Sequence, residues 1–139
     1  MAYKNRSYVV DQKLILSSAQ TLPDKAMEAS TNVVDYGGNS GGLAKIVVKA
    51  NTNIAIANGK ALTITARYGS TSTPADTLDK VLFTKTAAVP AGFTYAAGDT
   101  IVEEIIPDSL PDNYRFLKLN YATTADQSAE KVDAYVVMT

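Results

Sequence analysis

Side chains able to do chemistry are scarce in this sequence, and those present are poorly spaced for it. The 139 residues include no His and no Cys. That removes the usual general base near neutral pH, the commonest transition-metal ligand, and all thiolate or disulfide chemistry. Ser-His-Asp and Cys-His arrangements are therefore impossible. Carboxylates remain. Glu103 and Glu104 are adjacent in a strand-like stretch, so their side chains project to opposite faces, whereas a glycosidase pair must converge. The segment Asp108-Ser109-Leu110-Pro111-Asp112-Asn113 gathers oxygen atoms but lacks the Asp-x-Asp-x-Asp-Gly spacing of a calcium loop, and reads as an Asx- and Pro-rich turn. Gly37-Gly38-Asn39-Ser40-Gly41-Gly42 has no Lys to reach a phosphate and reads as a connection. The expectation is a protein without catalytic residues, cofactor or metal.

Charge and hydropathy narrow the partners. Thirteen Lys and Arg face 14 Asp and Glu, a formal net charge of −1, so no basic excess exists to neutralise a phosphate backbone. Arg67, Arg115 and Lys118 are too few for single-strand nucleic-acid binding beside aromatics. Tyr114 and Phe116 share one strand face, and Tyr68, Tyr121 and Tyr135 are scattered over three strands, a distribution that suits core and rim positions. The longest apolar runs, such as Ala134–Met138 and Ile54–Ala57, fall far short of the ~20 residues of a membrane span. Two cations near Met1 are followed by no apolar block of signal-peptide length. The chain is expected to be soluble and made in a cytoplasm, with neither nucleic acid nor membrane as partner.

The elements that must position any functional surface are strands. Val, Ile and Thr make up about a quarter of the chain, and these β-branched types lose little in a strand. The clearest strand is Leu62–Tyr68, which puts Leu62, Ile64, Ala66 and Tyr68 on one face. Asn58-Gly59 precedes it, after Thr52–Ala57, and predicts a type I′ hairpin between the two runs. Further strands are expected at Asn32–Tyr36, Leu43–Ala50, Lys80–Thr86, Thr100–Ile106, Tyr114–Tyr121 and Lys131–Met138. Pro23–Ala29 could form two helical turns and Thr77–Leu82 one, but no stretch sustains helical apolar spacing for three turns. About eight strands at such intervals predict an all-β fold, a jelly-roll-like antiparallel β-sandwich. Residues 21–139 form the single domain of this reading. Residues 1–20 form an N-terminal extended arm, either an added strand or a segment lying on a neighbouring protein. Tyr3, Tyr8, Val9, Val10, Leu14, Ile15 and Leu16 are too apolar for a disordered tail.

Two segments carry a resemblance. Leu14-Ile-Leu-Ser-Ser-Ala-Gln-Thr-Leu22 leads to Ala29-Ser-Thr-Asn-Val-Val-Asp-Tyr-Gly37. Tyr114-Arg-Phe-Leu-Lys-Leu-Asn-Tyr121 is followed by Ala129-Glu-Lys-Val-Asp-Ala-Tyr-Val-Val137. Together they are similar to the small capsid cement (decoration) proteins of certain tailed bacteriophages, over roughly a third of the chain at its two ends. Met1–Lys13 and the Gly37–Gly42 loop depart from the family pattern.

The resemblance implies a jelly roll on the outer surface of a virion capsid, binding the major capsid protein and itself as a homo-oligomer, dimer or trimer, and stabilising the expanded shell. It implies no enzyme activity. Candidate contact residues are Tyr3, Tyr8, Leu14 and Leu16 in the arm, with Leu14 and Leu16 on one face of an extended chain, and Phe93 and Tyr95 in the Pro90–Asp99 loop, which could equally anchor that loop to the core. The alternative is a glycan-binding jelly-roll module of a virion fibre or surface appendage.

Overall fold

The structure, a computed structural model, describes residues 14–37, 44–72, 77–88, 91–107, 109–111 and 113–138. Among these residues every regular element is a strand: β1 (Ile15–Thr21), β2 (Met27–Ala29), β3 (Val34–Asp35), β4 (Ala44–Ala50), β5 (Ile54–Ile56), β6 (Ala61–Gly69), β7 (Thr77–Thr86), β8 (Phe93–Tyr95), β9 (Thr100–Ile105), β10 (Phe116–Thr123) and β11 (Lys131–Met138). The period-two pattern explains the long ones. In β6, Leu62, Ile64, Ala66 and Tyr68 are buried, and the antiparallel register sets them opposite Thr123, Tyr121, Leu119 and Leu117 of β10. Directly opposed residues share a face, so both strands turn one apolar face the same way. In β11, Val132, Ala134 and Val136 are buried opposite Ala50, Val48 and Ile46 of β4. These two apolar faces meet in one hydrophobic core, the arrangement of a β-sandwich.

Strand order defines the type of sandwich. One sheet runs β1-β11-β4-β9, and the other runs β2-β10-β6-β7 with β3 also on β10. If β2 and β3 share one position and the small β5-β8 ribbon is set aside, the orders become 1-8-3-6 and 2-7-4-5. The antiparallel pairs 1-8, 2-7, 3-6 and 4-5 are all present. A long antiparallel ribbon is rolled up around its core, which is the jelly roll.

Two local expectations are corrected. The Asn58-Gly59 turn joins β5 to β6 without making them a hairpin, since β5 pairs with β8. Gly59 alone takes positive φ, 71°, and Lys60 N–H bonds Ala57 C=O at 3.0 Å, the geometry of a type II turn, which splays its flanking strands. The Gly59 N–H instead donates to Ala87 C=O at 3.0 Å and continues the β6–β7 ladder. No helix forms at Pro23–Ala29 or Thr77–Leu82: Met27–Ala29 is β2, and Thr77 onward is β7. Both segments lie beside strands whose hydrogen-bonding edges they complete, and pairing overrides weak local propensity. Of residues 1–20, given above as an arm or an added strand, Ile15 onward belongs to β1 (Ile15–Thr21) and pairs with β11 as a strand of the sandwich. Residues 1–13, including Tyr3 and Tyr8, lie outside the described residues.

Candidate contact surface

The two sheets meet along two lateral seams, and the side chains there differ. On one side stand β1 and the β2–β3 segment. The β1 ladder is irregular, with register shifts on both sides of Ser17. Leu16 and Ser17 are consecutive yet both buried, because a bulge breaks the period of two. Ser17 Oγ donates to Gln20 Oε1 at 2.6 Å. Its single proton is thereby used, so the Tyr121 hydroxyl, 2.8 Å away, is the donor to Ser17. Gln20 Oε1 also accepts from Thr31 N–H at 2.8 Å and Thr31 Oγ1 at 3.0 Å, while its Nε2 donates to Ala29 C=O at 2.8 Å. Asn32 adds bonds from its N–H to Leu16 C=O and from Nδ2 to Ile15 C=O. Burial pushes the Tyr121 phenol above its ordinary pKa, and the Ser17 bond opposes this. Across β3 and β10, Arg115 forks onto Asp35 at 2.8 and 2.9 Å and holds that carboxyl below the usual range.

The other seam runs between β7 and β9, which approach each other at the borders of their sheets. Both present large apolar side chains to solvent: Leu78 is 46% exposed, Val81 58% and Ile105 54%. Ion pairs flank them, Lys45 with Glu103 at 2.8 Å and Arg67 with Asp79 at 3.4 Å. The Lys45 hydrogen bond lowers the Glu103 pKa. The β5-β8 ribbon adds aromatic rings at this side. Phe83 of β7 meets Tyr95 edge-on at 6.2 Å, Tyr95 meets Phe93 at 5.9 Å, and Lys85 Nζ stands 4.6 Å from the Phe93 ring centre. Buried behind the seam, Tyr68 packs edge-on against Tyr36 at 6.3 Å, and its hydroxyl has no hydrogen-bond partner among the described residues. Its pKa is raised by burial and further by Tyr36 and Glu104.

The sequence-derived contact residues are not brought together. Leu16 is wholly buried in the core, which corrects its assignment as an outward contact: β1 finds cover within the chain, against β11 and the β2–β3 segment. Leu14 is half-buried against the same core. Phe93 and Tyr95 lie opposite Ile56 and Ile54 in the β5-β8 ribbon and pack half-buried on the core. The exposed set Leu78, Val81 and Ile105 was missed, because strand alternation does not tell an edge from a centre. Glu103 and Glu104 diverge as their neighbourhood requires, facing Val47 and Ile46 respectively. Among the described residues no group of three Asp or Glu side chains could hold a metal. Asp108 and Asp112 of the oxygen-rich turn lie outside them.

No protein-family model matches the chain, and no curated protein matches it. Among solved structures the chain is similar to the CBM22-1–GH10 modules of Clostridium thermocellum endo-1,4-β-D-xylanase 10B, a structure complexed with xylohexaose. The TM-score is 0.40 and the identity 10%, over 91% of this chain and 28% of that one. The chain thus spans less than a third of the xylanase structure's length.

Proposed function

We propose that this chain is a capsid decoration protein, a rigid jelly roll that binds the outer surface of a phage shell and stabilises its expanded form. The observation that carries this reading is the exposure of large apolar side chains, Leu78 and Val81 on β7 and Ile105 on β9, the border strands of the two sheets. Exposed apolar surface on edge strands favours association with another protein. The sequence resemblance selects the partner: the major capsid protein, with further copies of this chain as a dimer or trimer. Each copy needs only a modest interface, because repetition over a lattice multiplies it. Binding the expanded lattice and not its precursor stabilises the expanded state by mass action, without any chemical step. The site of action is the virion exterior.

The test mixes the purified chain with expanded capsids that lack it. The reading expects co-sedimentation at a stoichiometry set by shell symmetry and a higher temperature of shell disruption. No co-sedimentation with expanded capsids of its own phage would overturn it.

A further inference from the structure

The opposite border of the β1-β11-β4-β9 sheet holds a feature that shell binding does not use. Beside the β1 bulge, Ile15, Ser17, Ser18, Asn51, Asp133 and Tyr135 line an open pocket of about 310 Å³. That volume lies at the small end of ligand sites, ~300–1,000 Å³. We propose that this pocket binds a single neutral sugar ring. Two features lead to that ligand class, and a third describes the rim that holds the carboxylate.

The first is a fixed carboxylate. Asp133 Oδ1 accepts the Ala19 N–H at 2.7 Å, and Oδ2 accepts Asn51 Nδ2 at 3.0 Å. A carboxylate has about four acceptor positions, so two remain for hydroxyl donors, with orientation already set. The second is the pairing of this acceptor with an apolar floor. Ile15 lies opposite Tyr135 on the same face, and both are half-buried. A pyranose needs this combination, hydroxyls to polar groups and a C–H face to a ring. The third is backbone strain at the rim. Ala19 has φ 49°, a left-handed conformation that a residue with a Cβ rarely adopts. The bond to Asp133 ties this strained residue of the bulge to the carboxylate. The surrounding charge favours a neutral ligand over a cation. Lys49 stands directly across from Asp133 in the β4–β11 register, and Lys131 is two residues away on the same face.

The test is a titration of the labelled full chain, followed by amide NMR, with the methyl glycosides of glucose, galactose, mannose and N-acetylglucosamine. Concentrations up to about 50 mM reach millimolar dissociation constants. At least one glycoside is expected to shift the amides of Ser18, Ala19, Asn51, Asp133 and Tyr135 saturably. Tyr135→Leu should weaken that binding about tenfold or more, equivalent to 1.4 kcal/mol or more. Ser18→Phe, at an exposed bulge position, should block the pocket while leaving the core spectrum unchanged. No saturable shift with any of the four, shifts located elsewhere, or binding that survives Ser18→Phe would overturn the proposal. Shell co-sedimentation should be the same for wild type and Ser18→Phe, which separates this site from the seam.

Discussion

Along β1 the sheets are joined by side-chain hydrogen bonds centred on Ser17 and Gln20. Along β7 and β9 aromatic rings and two ion pairs take that place, and exposed apolar side chains stand on both borders, Leu78, Val81 and Ile105 here and Met27 and Val33 on the β2–β3 segment. The contrast is sharpest in two buried tyrosines on the inner face of one sheet. Tyr121 gives its proton to a serine, and Tyr68 has no partner for its hydroxyl among the described residues. A buried polar group that is satisfied fixes a unique arrangement, and one left alone subtracts from stability. The first seam therefore sets register, where a bulged strand could otherwise slip. The second leaves surface free for association.

The largest effect should come from Gln20→Ala. It strips partners from Ser17, Thr31 and the Ala29 carbonyl together, and should cost about 2–3 kcal/mol in urea unfolding. A midpoint equal to wild type would remove the distinction between the seams. Next is the matched pair Tyr121→Phe and Tyr68→Phe. The first should cost about 1–2 kcal/mol, while the second should be neutral or stabilise by up to about 1 kcal/mol, since it deletes an unpaired buried hydroxyl. Equal losses in the two variants would break the comparison.

Alkaline titration gives a smaller, graded effect. Burial raises the phenol pKa of Tyr36 to about 12, and raises Tyr68 and Tyr121 above the ordinary 10.0. In the unfolded chain these groups ionise near 10, so above that pH the unfolded state holds fewer protons and gains relative to the folded one. Their contribution is full below pH 10 and is lost as pH rises through the folded values. Tyrosinate absorbance should accordingly rise in two phases, exposed phenols first and the buried ones together with loss of strand circular dichroism. A single phase at pH 10 with the fold intact would contradict the burial.

Much of the core was legible in the residues. Leu62, Ile64, Ala66 and Tyr68 alternate cleanly, as do Val132, Ala134 and Val136, and each set is buried. The strand-rich composition led to the sandwich, because period-two burial is a local property. What depended on pairing partners was not legible. Asn58-Gly59 looked like a hairpin turn, yet its type is decided by where Gly59 N–H bonds, at Ala87. Leu16 looked like a free contact residue because nothing in the sequence says that β11 accepts β1 as a neighbour. Ser17 and Gln20 look ordinary in sequence, and only the fold brings Tyr121 to them from 104 residues away. Leu78 and Ile105 gave no signal, since the edge of a sheet is defined by the strand that is not there.

On the proposed function, adhesion resides at the β7–β9 border, where Leu78, Val81 and Ile105 are exposed. The most direct measurement compares wild type with the double variant Leu78→Ser, Ile105→Ser for binding to expanded capsids that lack the protein. Both positions are about half exposed, so each change should cost only about 1 kcal/mol of folding stability. The account expects the variant to fold as wild type does and to bind the shell at least tenfold more weakly. Undiminished binding by a folded variant would contradict it.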